Sequence, residues 1–104
     1  MIRRQAVNSA GAINFTFDPG TAFQLEEITL HLDAAGGAAE NMTIDIQYKE
    51  GPVYTWRLAT QAMAAVQDYQ YLPTRPIELW DGDTLSIKYA NTNSREWGLV
   101  VKIK

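Results

Sequence analysis

Hydrophobic residues fall on alternate positions through most of this chain, the period-two signature of strands with one buried face. The longest such stretch closes the sequence. After Leu79 and the turn tripeptide Asp81-Gly82-Asp83, Leu85, Ile87 and Tyr89 take one parity and Thr84, Ser86 and Lys88 the other. A polar segment, Asn91 to Ser94, intervenes, and Trp97, Leu99, Val101 and Ile103 then align against Lys102 and Lys104. Two alternating segments parted by a short polar loop predict a hairpin, and its single apolar face needs a second sheet to cover it.

The rest of the chain supplies strands for that cover. Ile13, Phe15 and Phe17 alternate with Asn14, Thr16 and Asp18, and Asp18-Pro19-Gly20 ends the run as a turn. Phe23 and Leu25 sit on odd positions but Ile28, Leu30 and Leu32 on even ones, so the inward parity switches across Glu26-Glu27 and predicts a β-bulge there. Ala34 to Ala39 has no period and reads as a mobile loop. Met42, Ile44, Ile46 and Tyr48 alternate regularly, Glu50-Gly51-Pro52 turns the chain back, and Tyr54, Trp56 and Leu58 are assigned to the inner face of the returning strand.

Gln61 to Gln67 is too short to hold a helix alone and predicts a single helical turn or an irregular crossover. Tyr69 and Tyr71 mark a short strand broken by Pro73 and Pro76, which implies an edge position, before Ile77 and Leu79 resume the pattern. Ile2 to Val7 fits either a first edge strand or a free arm. About eight strands at this spacing predict an all-β protein, a single antiparallel sandwich over residues 1–104 with no linker or internal repeat.

Composition agrees with that class. A chain of 104 residues with 46% hydrophobic and 20% charged residues is sized for one core. With no cysteine, a disulfide framework and a thiolate metal site are both excluded. Met1-Ile2-Arg3-Arg4 lacks the apolar run of a secretory leader, and no stretch approaches the roughly 20 apolar residues of a membrane helix. The expectation is a protein made and kept in a cytoplasm, or carried out within a larger assembly, with no membrane partner. Nine basic and twelve acidic residues leave a net charge of -3 with neither sign in a block, which speaks against nucleic acid as a partner.

Candidate chemistry is sparse. His31, the one histidine, lies on the polar parity of its strand between Thr29 and Asp33 and is expected to face solvent. Ser9, Ser86 and Ser94 stand outside any nucleophile-elbow context. Asp81 and Asp83 resemble a pair of calcium ligands, with Asp68 or Glu78 as additions, but Asp-Gly-Asp is also what a tight turn requires, and the turn assignment is preferred. The twelve acids are scattered, and no loop is long enough to wall the cleft that glycosidase chemistry needs. No catalytic residue, cofactor or metal site is therefore expected. Asn41-Met42-Thr43 matches a glycosylation acceptor, a chance match in the absence of a leader. Trp80 is the exception to the general accounting of aromatics as core. Ile77 and Leu79 hold the inward parity, so its indole projects outward beside the turn, where it packs over the sandwich edge, fills a pocket on a neighbouring subunit or stacks on a sugar ring, the last being the least favoured.

Tyr71-Leu72-Pro73, Pro76-Ile77, Leu79, Gly82-Asp83, Leu85, Ile87, Asn91 and Trp97-Gly98-Leu99-Val100-Val101 together resemble the closing half of small jelly-roll proteins from virions of tailed bacteriophages. The likeness implies a jelly-roll sandwich acting as a capsid decoration or head/tail accessory subunit. It also implies a homo-oligomer, with a trimer favoured, seated on a capsid or tail protein and carrying no catalytic residues. The competing expectation is a carbohydrate-binding module, which would display a flat strip of aromatics on one sheet face. With Tyr54, Trp56 and Trp97 assigned inward, the virion subunit is preferred, with Trp80 at or near its subunit contact.

Overall fold

The computed structural model describes residues 3–104. Nine strands run in the order β1 (Arg3–Ser9), β2 (Ile13–Phe17), β3 (Phe23–Leu32), β4 (Asn41–Gln47), β5 (Trp56–Ala62), β6 (Asp68–Tyr71), β7 (Ile77–Leu79), β8 (Thr84–Tyr89) and β9 (Trp97–Ile103). The expected first segment forms the edge strand β1; Ile2, its first residue, lies outside the described residues.

One sheet has the order β1-β9-β3-β6, with β7 also pairing β3, and the other has the order β2-β8-β4-β5. All the strand pairings are antiparallel. β6 meets the second half of β3 and β7 its first half, so the two occupy one strand position broken at Pro73 and Pro76. Counted that way, the chain has eight strand positions in two four-position sheets, the jelly-roll arrangement.

The expected β8–β9 hairpin does not exist. β8 lies between β2 and β4 in one sheet, while β9 lies between β1 and β3 in the other. The Asn91–Ser94 loop is an arch between sheets. β8 instead completes its ladders with β2 and β4, and β9 with β1 and β3, strands from distant parts of the sequence. The same holds for the other connections, which all cross between sheets except β4–β5 and β6–β7.

The core fills the space between the sheets. Leu25, Ile28, Leu30 and Leu32 of β3 and Leu99, Val101 and Ile103 of β9 meet Met42, Ile44 and Ile46 of β4 and Leu85, Ile87 and Tyr89 of β8, all buried. The β3–β9 register shifts between Leu25 and Glu27, which is the bulge the parity switch predicts. Phe15 and Leu58 pack partly buried against this core.

Trp56 and Tyr54 do not join it. Trp56 pairs with Ile46 and so takes the core-side register, yet it is 64% exposed, and Tyr54 is 59% exposed. β5 is the outermost strand of its sheet, and Trp56 begins it, where the opposing sheet gives no cover. A register shift between Ile44 and Asp45 then resets β5, so that Ala59 rather than Leu58 faces Ile44.

Candidate interaction surface

The two ends of the sandwich are built differently, and the difference locates the candidate surface. At one end lie the connections 10–12, 33–40, 63–67 and 90–96. Asn91, only 2% exposed, donates from Nδ2 to the carbonyls of Gly11 and Arg95, both at 2.8 Å, and accepts the Arg95 amide at 3.0 Å. Trp97 Nε1 reaches the same Gly11 carbonyl at 3.0 Å, and Glu40 accepts both the amide and the hydroxyl of Thr92 at 2.8 Å.

The Ala34–Ala39 segment, expected to be mobile, is tied down here. The Gly36 amide donates to the Val66 carbonyl, the Ala65 amide to the Gly36 carbonyl, and Gly36 forms a parallel bridge with Ala64. A side chain at Gly36 would collide with the Met63 carbonyl, since its first carbon would lie 2.4 Å from that oxygen. The small residues that suggested mobility instead permit close backbone approach. Met63, fully buried, plugs the end, and residues 63–67 form the irregular crossover. Burial pushes the Tyr89 phenol pKa up beneath this layer; Glu40 adds to the effect and Arg95 opposes it.

At the opposite end lie the β4–β5 hairpin and the 80–83 turn. Asp83, 5% exposed, holds that turn: its carboxylate accepts the Trp80 amide at 2.9 Å and the Lys49 amide at 3.0 Å. Gly82 has φ 95°, and a side-chain carbon there would come within 3.1 Å of the Lys49 side chain. The Asp-Gly-Asp tripeptide thus closes a tight turn, with both Asp83 oxygens committed to backbone amides. Asp81 is exposed.

Trp80 sits on this fixed turn and is 69% exposed, so it does not pack over the sandwich edge. It lines a shallow hollow with Ala22, Phe23, Gln24, Glu78 and Lys104 at the foot of the β1-β9-β3 sheet. At the foot of the other sheet, Tyr48, Glu50, Val53, Tyr54, Thr55 and Trp56 line a second open hollow. The structure therefore adds Val53, Tyr54 and Trp56 to the exposed apolar groups at this end. Alternation alone could not find them, because it marks the register of a side chain and not the extent of the facing sheet.

The remaining candidates stay apart. His31 is exposed, as expected, and pairs with Asp68 across the β3–β6 ladder. Ser9 Oγ donates to the adjacent Ala10 carbonyl at 3.2 Å. Among the described residues, no three acidic or histidine side chains gather as metal ligands, and no helix is long and apolar enough to cross a membrane. The outer sheet faces are polar: Asn8, Gly98, His31 and Asp68 form one row, and Thr16, Ser86, Asp45 and Arg57 another, with Arg57 Nε 2.5 Å from Asp45. Neither row carries an aromatic strip.

No family model matches this chain, and no curated protein matches it. Solved structures do. The Drosophila NLP-core, described in terms of pentamer formation and histone binding, is similar at 14% identity and a TM-score of 0.49, with 98% of this chain and 99% of that one covered. The acid-stable capsid of Helicobacter pylori bacteriophage KHP30 is similar at 14% identity and a TM-score of 0.40, covering 99% and 92%. Infectious bursal disease virus, Gx strain, is similar at 16% identity and a TM-score of 0.34, covering 97% of this chain and 36% of that one. With identities this low and TM-scores below 0.5, none of these likenesses carries function to this chain.

Proposed function

We propose that this protein is a non-enzymatic structural or accessory subunit of a virion, of the capsid-decoration or head/tail kind in a tailed phage or prophage, and that it works by protein–protein assembly. The observation that carries the proposal is Trp80: a large indole held out to solvent on a turn whose backbone is already fixed by Asp83. A rigid, exposed aromatic is the side chain that anchors interfaces, since little ordering entropy is lost when a partner covers it. The jelly-roll order of the sheets is in keeping with this role, because capsid proteins are among its common users.

On this proposal the protein is a homo-oligomer, a trimer by the phage resemblance, with Trp80 at or near the subunit contact and a capsid or tail protein beneath it. Sedimentation of the wild type and Trp80→Ala at equal concentrations tests it. The expected result is an oligomeric wild type and a dissociated variant that keeps the β-sheet circular dichroism of the folded chain. A wild type that remains monomeric at high micromolar concentration overturns self-association, and an oligomer indifferent to the substitution overturns the placement of the contact. The carbohydrate-binding alternative is favoured by one observation, the exposure of Tyr54 and Trp56.

A further inference from the structure

We propose that the hollow at the β4–β5 hairpin binds the pyranose ring of a neutral glycan. Its aromatic wall comes from Tyr48, Tyr54 and Trp56. Tyr48 follows β4 and is half-buried against the core, so its position is set by packing. Gly51, at φ 131°, leads into a 3₁₀ turn over Pro52–Tyr54 that carries Tyr54 outward, and Trp56 opens β5 at an uncovered sheet edge. The hollow is broadly open to solvent, with room of about 460 Å³, within the size range of small-ligand sites.

A sugar ring has apolar C–H faces and a rim of hydroxyls, and the lining matches both. The lining supplies the aromatic side chains of Tyr48, Tyr54 and Trp56 for the C–H faces, and a carboxyl from Glu50 and a hydroxyl from Thr55 for the rim. Glu50 takes part in none of the ion pairs among the described residues. That carboxyl can accept hydrogen bonds from sugar hydroxyls while keeping part of its hydration. A quaternary ammonium, the other ligand of aromatic clusters, needs a closed cage around its charge, and this hollow is open. The Trp80 hollow shares no lining residue with it, so the glycan site is independent of the assembly proposed above.

The test is an NMR titration of the full isotope-labelled chain with short oligosaccharides of glucose, mannose, galactose and N-acetylglucosamine. For at least one sugar, the Trp56 indole and the amides of Tyr48, Tyr54 and Thr55 are expected to shift saturably at millimolar concentration or below, while the Trp80 indole stays still. Trp56→Ala, at an exposed position that leaves the core untouched, is expected to weaken that binding about tenfold, the scale of one aromatic contact. Absence of saturable shifts across the panel overturns the proposal, as does undiminished binding by Trp56→Ala. Shifts of the same resonances with protein concentration alone also overturn it, assigning the hollow to contacts between copies and leaving the Trp80 test to stand by itself.

Discussion

One end of this sandwich is latched by a network of side-chain hydrogen bonds, and the other is held by tight turns and the single Asp83 carboxylate, leaving large apolar groups in water. At the latched end, three non-glycine residues, Ala65, Asn91 and Ser94, adopt positive φ values of 62°, 51° and 53°. Such conformations cost about 1–2 kcal/mol for a residue with a β-carbon and persist where the surroundings over-determine them. The Asn91 and Glu40 networks and the Gly36–Ala64 bridge supply that over-determination. At the open end, the positive-φ positions of the β4–β5 hairpin and the 80–83 turn, Gly51 and Gly82, are glycine, so little strain is stored. The lesson is a division of labour: closure of the fold concentrates at one end, and exposed apolar surface is left at the other.

The largest expected effect breaks the latch. Asn91→Ala removes three hydrogen bonds around a buried site and leaves alanine in a left-handed conformation that asparagine tolerates better. A loss of about 3 to 5 kcal/mol is expected in urea denaturation. A loss below about 1 kcal/mol would show that the latch is ornamental to folding.

A smaller pair of substitutions sharpens the contrast in strain. Ala65→Gly relieves a left-handed alanine at the latched end and should stabilise by about 0.5 to 1 kcal/mol after the added freedom of the unfolded chain is counted. Gly82→Ala places a side chain at φ 95° against Lys49 and should destabilise by about 1 to 2 kcal/mol. Thermal melts of both variants suffice, and effects of the same sign would erase the distinction between the ends.

The smallest expected effect lies between the ends, on the outer face of the β1-β9-β3 sheet. Glu27 accepts from Lys102 at 2.8 Å and from Gln70 Nε2 at 2.6 Å, and these bonds, Lys102's first, hold its carboxyl pKa below the ordinary 4.5. A carboxyl lowered by folding contributes stability that is present above pH 4.5 and lost as pH falls through its depressed folded value. Melting temperatures of the wild type and Glu27→Gln should therefore differ at neutral pH and converge in acid. A gap that persists or widens at low pH would remove this linkage.

Local chemistry was legible wherever it depends on neighbouring residues. The parity switch at Glu26-Glu27 located the β3 bulge, Pro73 and Pro76 located the break between β6 and β7, and Asp-Gly-Asp located a turn whose backbone amides Asp83 captures. The outward position of Trp80 followed from the parity of Ile77 and Leu79. Each of these is a matter of alternation, ring closure or donor supply within a few residues.

By itself, then, the sequence determined the strands, the buried faces of all but β5, and the all-β class, because a period of two is a property of the chain as it runs. Only the tertiary structure decided the partners. Alternation cannot say whether β8 and β9 share a ladder or sit in opposite sheets, since both arrangements bury the same faces. Nor can it say that β5 is an edge, which turns Trp56 from a core residue into the wall of an open hollow. The alanines and glycines of 34–39 carry no periodic signal, and whether they move or lock depends on a backbone that arrives from residues 63–66. Pairing and coverage are non-local, set by which distant strands complete each ladder, and in a fold whose successive strands alternate between sheets that information is spread over the whole chain.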